Sequence, residues 1–133
     1  MTLVAGRYEL GQLLGSGGVA SVYRARDKVA ERDVAIKVIP FGEPSSEHFE
    51  RFRHEALALS RLESPHIARV HDFGRDEALG LFLVMELIDG VALERAAFGR
   101  ALEGHEVLRA ARGVLDALAD AHGRGIVHRD IKP

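Results

Sequence analysis

The stretch that decides the fold is Gly15-Ser16-Gly17-Gly18-Val19-Ala20-Ser21-Val22-Tyr23, a glycine cluster followed by β-branched and aromatic residues. The glycines favour a tight turn, and the residues after them favour extended backbone. Together with the extended segment that begins at Arg7, this stretch predicts a β-hairpin that ends near Asp27. Glycine amides can approach an anion such as a phosphate, but glycine-rich hairpins also occur without any ligand.

Two other phosphate-binding loops do not fit this stretch. In a dinucleotide-binding fold the glycines open a helix, whereas Ala20-Ser21-Val22-Tyr23 is typical of a strand. In a Walker loop a lysine follows the glycines, and Val19 stands in that place here. A glycine-rich hairpin between two strands is therefore the remaining interpretation, with or without a phosphate ligand.

A lysine lies inside the next apolar segment, Val34-Ala35-Ile36-Lys37-Val38-Ile39. A buried ammonium is costly without an anionic partner, although a lysine near a strand end can also extend into solvent. Strand alternation places Ala35 and Lys37 on one face, where a flat ring could lie against the alanine while the ammonium contacts its phosphates. Glu55, on the segment that follows, is a candidate carboxylate for holding Lys37 extended.

The rest of the chain adds strands and then becomes helical. Three further strands are predicted from β-branched residues bounded by turn residues, and three helices from apolar residues at helical spacing. The strands are 32–39, 67–73 and 79–87, and the helices run from Ser45 or Ser46 to near Ser64-Pro65, from Leu93 to Phe98, and from His105 to His122. Five strands and one helix therefore precede a helical part that begins near residue 88.

The amino-acid composition limits the class of protein to which this chain can belong. The chain has 133 residues, 47% hydrophobic and 29% charged, with a formal net charge of −2 and no cysteine. These values predict a globular domain and exclude disordered proteins, disulfide-stabilised proteins and thiolate metal sites. The absence of a basic stripe argues against a nucleic-acid or membrane-surface binder. No apolar run is long enough to cross a bilayer and no secretion signal is present, so the expected location is the cytoplasm.

Five motifs, in this order, resemble those of the protein kinases, most closely the bacterial serine/threonine kinases of eukaryotic type. They are Gly15-x-Gly17-x-x-Ala20-x-Val22, Val34-Ala35-Ile36-Lys37, Glu55, Met85-Glu86, and His128-Arg129-Asp130-Ile131-Lys132-Pro133. Ala20 replaces the third glycine of the family's loop. The resemblance implies an α+β fold. Residues 1–87 would form a nucleotide-binding N-lobe with a five-stranded antiparallel sheet and one helix, and residues 88–133 the hinge and the start of a helical C-lobe.

The resemblance also implies an ATP site. The glycine hairpin would cover the phosphates, two side chains would enclose adenine, the strand lysine would contact the α- and β-phosphates, and a helix glutamate would pair with that lysine. The residues that would cover the phosphates are Gly15, Ser16, Gly17 and Gly18, and those that would enclose adenine are Val22 and Ala35. The strand lysine is Lys37, and the helix glutamate is Glu55. Met85 would guard the back of the adenine pocket, and the backbone of Glu86 and Ile88 would hydrogen-bond the adenine edge.

The last motif implies phosphoryl transfer from ATP to a protein. Asp130 would accept or orient the proton of the attacking hydroxyl, and Lys132 would steady the transferring phosphoryl group. A lysine two positions after the aspartate is the serine/threonine pattern, so the implied partner is a protein with a Ser or Thr acceptor. The implied cofactors are ATP and Mg²⁺. In the family the magnesium ligands are an Asn shortly after the proline of this motif and the Asp of the Asp-Phe-Gly motif, so no metal ligand is predicted within residues 1–133.

The resemblance covers about the first half of a kinase domain, since the sequence ends inside the catalytic loop at Pro133. We therefore expect a truncated fragment that binds ATP weakly or not at all and transfers no phosphoryl group. The apolar stripe of the helix at 105–122 would lack its usual cover, and we expect self-association through it. The alternative interpretation is a non-catalytic nucleotide- or partner-binding module, a pseudokinase-like short product.

Overall fold

The computed structural model describes residues 1–40 and 46–127. Asp130, Lys132 and the candidate helix cap Ser45 lie outside the described residues. The strands are β1 (Leu3–Val4), β2 (Tyr8–Gly17), β3 (Ala20–Asp27), β4 (Arg32–Ile39), β5 (Val70–Asp76) and β6 (Gly80–Glu86), and the helices are α1 (Ser46–Ser60), α2 (Leu93–Ala96) and α3 (Gly104–Gly123).

The strands form one antiparallel sheet in the order β1-β2-β3-β4-β6-β5. The predicted fold class is confirmed: all five predicted strands are present, and α1 is the predicted helix between the third and fourth of them. The sequence analysis missed β1, in which Leu3 pairs with Glu9 and Val4 pairs with Tyr8. Two residues are too few to show a strand's alternation of apolar and polar side chains, so the sequence pattern could not reveal β1. Its extended backbone is fixed by its pairing with β2.

The hydrophobic core lies against one face of the sheet. Ile36 is fully buried there, and its neighbours across the ladders are Tyr23 on β3 and Val84 on β6. The other members of the buried cluster are Val4, Tyr8, Ala25, Val34, Val38 and Phe82. Because side chains alternate along a strand, Ala35 and Lys37 lie on the opposite face from Ile36.

A close contact between two core strands involves Gly74 on β5, which lies opposite Phe82 on β6. A methyl group added at Gly74 would come within 2.9 Å of Cζ of the Phe82 ring. Phe82 is only 3% exposed and packs against the Tyr8 ring, with 6.1 Å between centroids. Glycine is therefore required at this position by the ring that covers it.

An ion pair with a buried carboxylate and a partly exposed guanidinium closes the β2–β3 hairpin at the end away from the glycines. The guanidinium of Arg7 donates two hydrogen bonds to the Asp27 carboxylate, at 2.8 and 2.7 Å. The same carboxylate accepts the backbone N–H groups of Val29 and Ala30 and is 1% exposed. The Arg7 guanidinium holds the pKa of Asp27 well below its usual range. The Tyr8 hydroxyl extends the network by donating to Asp72 on β5.

The chain divides into two compact units, residues 1–61 with 68–88 and residues 62–67 with the segment from 89 onward. The first unit contains the sheet and α1. Helix α1 packs on β5, where the Phe52 ring meets the Phe73 ring edge-on at 6.4 Å, and its Ala56 is buried.

The second unit contains α2, α3 and the segment 62–67. The Asp120 carboxylate on α3 accepts the backbone N–H groups of Glu63 at 3.0 Å and Ser64 at 3.1 Å. These two bonds, with one from the Arg124 side chain, keep the pKa of Asp120 below its usual value. The backbone of Glu63 and Ser64 thus bonds Asp120 and does not continue α1, which ends at Ser60, before the predicted end near Ser64-Pro65. Strand β5 begins at Val70, after the predicted start at Ile67.

Helix α3 begins with a capping box, in which the Glu103 and Glu106 side chains each bond the other residue's backbone N–H. Several of its apolar side chains are exposed, including Val107 at 49%, Leu108 at 73% and Leu115 at 64%.

Among the described residues, the helices are all too short or too polar to span a membrane.

Candidate functional site

The glycine stretch forms the closed end of the β2–β3 hairpin. Gly15 pairs with Val22 and Gly17 pairs with Ala20, so Gly18 and Val19 form a two-residue turn. Gly18 has a φ of +55°, a left-handed conformation that glycine adopts without strain. The positive φ at the first turn residue alone is the pattern of a type II′ turn, which suits the twist of a hairpin.

Packing does not account for the other glycines of this hairpin. A methyl group added at Gly15 or Gly17 would meet no described atom within 4 Å, and both residues have ordinary negative or extended φ values. The hairpin therefore carries side-chain-free backbone next to open space. That arrangement lets backbone amides approach a ligand without a side chain between them.

Lys37 lies on the sheet face opposite the core, on β4, the strand that pairs with β3 of this hairpin. It is paired with Val22 on β3 and with Leu83 on β6, and Ala35, two residues earlier, is paired with Met85. Lys37 is half-buried, and within the described residues no carboxylate oxygen lies within 4.0 Å of its ammonium. A half-buried cation that has no carboxylate partner in the described part of the chain is suited to an anionic ligand.

The expected ion pair between Lys37 and Glu55 is absent from the described structure, where no such contact occurs within 4.0 Å. Glu55 is exposed on α1, at the margin of the helix face that carries Phe52 and Ala56. That face packs on β5, where the Phe52 ring meets the Phe73 ring. The structure therefore brings Val22, Ala35, Lys37 and Met85 together but leaves Glu55 apart.

The end of β6 shows an unusual hydrogen-bond pattern at Glu86. Its backbone N–H donates to the carbonyl of Arg69 at 2.8 Å, so this donor is already occupied. The Arg69 N–H donates in turn to Oε2 of the Glu86 side chain, at 3.1 Å. Sequence reasoning did not single out Arg69, because its part depends on backbone pairing. Ile88, two residues further on, is 61% exposed.

Residues 8–133 match the model of the protein kinase domain family. The chain belongs to the protein kinase family. This kinase-family chain is 38% identical over 132 residues to the serine/threonine-protein kinase PrkC of Bacillus subtilis and 41% identical over 133 residues to PknL of Mycobacterium tuberculosis. Each alignment covers 98% of this chain, but only 20% of PrkC and 33% of PknL.

Solved structures give the same assignment. A crystal structure of the Mycobacterium tuberculosis PknI kinase domain superimposes with a TM-score of 0.82 at 32% sequence identity. The superposition covers 99% of this protein kinase chain and 53% of the PknI chain. The chain thus spans about half the length of that kinase domain.

Protein kinases as a family use ATP and Mg²⁺. Within residues 1–40 and 46–127 of this kinase chain, no three His, Cys, Asp or Glu side chains cluster closely enough to hold a metal ion.

A shallow surface pocket of about 180 Å³ lies beside Asp33, but it is lined by none of the predicted site residues. Its arginines, Arg24 and Arg26, already bind the Asp33 carboxylate. We therefore place the candidate site at the glycine hairpin and Lys37 instead.

Proposed function

We propose that this chain is the ATP-binding part of a serine/threonine protein kinase, which transfers the γ-phosphoryl group of ATP to a protein Ser or Thr hydroxyl. The observation that carries the proposal is the position of Lys37. Its half-buried ammonium has no carboxylate within 4.0 Å among the described residues, and its cross-strand neighbour Val22 belongs to the glycine hairpin. A triphosphate supplies the negative charge that the described residues do not place at this ammonium.

The residues of the first unit fit an adenine nucleotide. Val22 and Ala35 offer apolar contacts for the flat base, and Met85, paired with Ala35, closes the back of the space. The Glu86 carbonyl and the Ile88 N–H would bind the adenine edge. Gly15, Ser16, Gly17 and Gly18 would cover the phosphates, which Lys37 would hold.

Glu55 remains the proposed partner of Lys37 in the nucleotide-bound protein. The pairing requires the two side chains to approach, since they make no contact within 4.0 Å in the described structure. A carboxylate that reaches Lys37 would fix the ammonium in the extended position that phosphate binding needs.

The proposed chemistry lies in the last motif. Asp130 would accept or orient the proton of the substrate hydroxyl, and Lys132 would hold the transferring phosphoryl group. Mg²⁺, when bound, neutralises charge on the phosphate oxygens. We divide the chain accordingly into a nucleotide-binding part at residues 1–87 and a hinge with the beginning of the second lobe at residues 88–133. The proposed location is the cytoplasm, where ATP is available.

Of the two outcomes expected for the chain, weak ATP binding or none, the proposed function requires the first. Millimolar ATP with Mg²⁺ should therefore shift the backbone amide resonances of residues 15–22 and 35–37 in an NMR titration of the chain. Lys37→Met removes the proposed phosphate ligand, and charge-assisted hydrogen bonds of this kind contribute about 1.5–3 kcal/mol. The apparent affinity for ATP should therefore fall about tenfold or more.

The matched control is Lys28→Met, which removes the same charge from a residue that pairs with Glu9 at 3.5 Å. Its ATP affinity should equal that of the unchanged chain. Equal affinity of Lys37→Met and the unchanged chain would contradict the proposed site. Saturable ATP binding that is equally tight in Lys37→Met and the unchanged chain would favour a nucleotide-binding module with a different site.

We also propose that the chain self-associates through the helix at 105–122, because Leu108 and Leu115 lie seven residues apart on one exposed stripe of α3. Leu108→Gln/Leu115→Gln should weaken association about tenfold or more by sedimentation velocity, since each buried leucine contributes about 1.5–3 kcal/mol. Val29→Gln, at a residue exposed to the same 73% as Leu108, is the control and should leave association unchanged. A monomer at all concentrations would rule this interface out.

A further inference from the structure

The backbone hydrogen bonds between Glu86 and Arg69 are incomplete. In an antiparallel ladder, facing residues of a hydrogen-bonded pair exchange both of their N–H to carbonyl hydrogen bonds, and such pairs alternate with pairs that exchange none. The bond between Glu86 and Arg69 makes them a pair of the first kind. Here only one forms, from the Glu86 N–H to the Arg69 carbonyl at 2.8 Å. The second donor, the Arg69 N–H, is taken by Oε2 of the Glu86 side chain at 3.1 Å. The Glu86 carbonyl therefore does not receive the hydrogen bond that a regular pair would give it.

This exchange affects the end of a strand that is otherwise regular. Glu86 is the last residue of β6 and the last to pair with β4, where it lies opposite Val34. Arg69 comes just before β5, whose first residue is Val70. By capping Arg69, the Glu86 side chain ends the β5–β6 ladder one bond early.

We infer that the Glu86 side chain is a positioning residue, which captures the Arg69 N–H and thereby keeps the Glu86 carbonyl available to accept a hydrogen bond from the exocyclic amine of adenine. The inference rests on the proposed function, in which that carbonyl binds the adenine edge. It assigns the side chain a part in base selectivity, although it touches neither the base nor the phosphates. A side chain without an acceptor at this position would let the Arg69 N–H bond to the carbonyl and compete with the base.

The test compares ATP with purine riboside triphosphate, a nucleotide that lacks only the 6-amino group. Dissociation constants are measured by NMR titration with Mg²⁺ for the unchanged chain, Glu86→Ala and Glu86→Gln. One hydrogen bond to the amine should make the unchanged chain prefer ATP by about fivefold to tenfold. Glu86→Ala should lose this preference while its affinity for purine riboside triphosphate stays the same. Glu86→Gln keeps an acceptor oxygen for the Arg69 N–H and should keep the preference.

The control is Glu77→Ala, at an exposed glutamate in the turn between β5 and β6, which should keep the preference. The same ATP preference in Glu86→Ala as in the unchanged chain overturns the inference, although the ATP site would stand. Equal loss of affinity for both nucleotides in Glu86→Ala also overturns it, because that result means a structural role alone. Absence of any nucleotide binding by the unchanged chain refutes the proposed function, and the inference with it.

Discussion

Asp27→Ala is expected to lower the free energy of unfolding by about 3 kcal/mol, because it removes a buried carboxylate that accepts hydrogen bonds from a guanidinium and from the backbone. Asp27 is 1% exposed and accepts two bonds from Arg7 and one each from the N–H groups of Val29 and Ala30. Asp27→Asn keeps the shape and one acceptor, so its loss should be smaller. Chemical denaturation followed by circular dichroism measures both losses.

The pH dependence of this loss identifies its cause. Because Arg7 lowers the pKa of Asp27 in the folded chain, the pair's stabilisation is complete above the usual carboxyl pKa of 3.8 and is lost as the pH falls through the lower folded value. The stability difference between the unchanged chain and Asp27→Ala should therefore be constant above about pH 5 and shrink below it. Asp33→Ala, at an exposed pair with Arg24 and Arg26, should cost much less at every pH. Equal losses at the two positions would show that burial of Asp27 is unimportant.

Gly74→Ala is expected to lower the free energy of unfolding by about 1–3 kcal/mol, the usual range for a group forced into a packed core. The new methyl group would lie 2.9 Å from Cζ of Phe82, whose ring is buried and confined by Tyr8. Gly74 has no positive φ, so backbone strain adds nothing to the loss. Thermal and chemical unfolding report the change.

A second-site variant separates this clash from a general weakening of β5. Phe82→Leu removes the ring that the methyl group would meet, so Gly74→Ala should cost less in the Phe82→Leu background than alone. Gly104→Ala adds a methyl group at the start of α3, where no described atom lies within 4 Å, and should be close to neutral. Full additivity of the two substitutions at 74 and 82 would argue against the proposed contact.

Most of the sheet could be predicted because each strand carries its own pattern. Val34, Ile36 and Val38 alternate with Ala35 and Lys37, and the structure places the first three in the core. The strand β1 and the ends of α1 and β5 could not be predicted in this way. Each depends on a distant partner, namely Glu9 and Tyr8 for β1, and Asp120 for the segment after α1.

In the candidate site too, the features set by local sequence could be predicted, and those set by distant contacts could not. The glycine turn and the Lys37 face follow from local sequence, and the ladder between β3 and β4 brings Val22 beside Lys37. The distance between Lys37 and Glu55 depends on where α1 packs, which no local pattern fixes. In the exchange between Glu86 and Arg69, a side-chain carboxylate replaces the backbone carbonyl of the same residue as the acceptor, and sequence spacing does not reveal which of the two accepts.

The network around Arg7 also bears on the order in which this part of the chain assembles. Arg7 and Asp27 are 20 positions apart, whereas Tyr8 and its acceptor Asp72 are 64 apart. Contacts between near neighbours cost less loop entropy and form sooner than distant ones. On the ribosome, the first hairpin can thus fix its register while β5 is still unsynthesised, and the Tyr8 hydroxyl then becomes the anchor onto which the later strands dock.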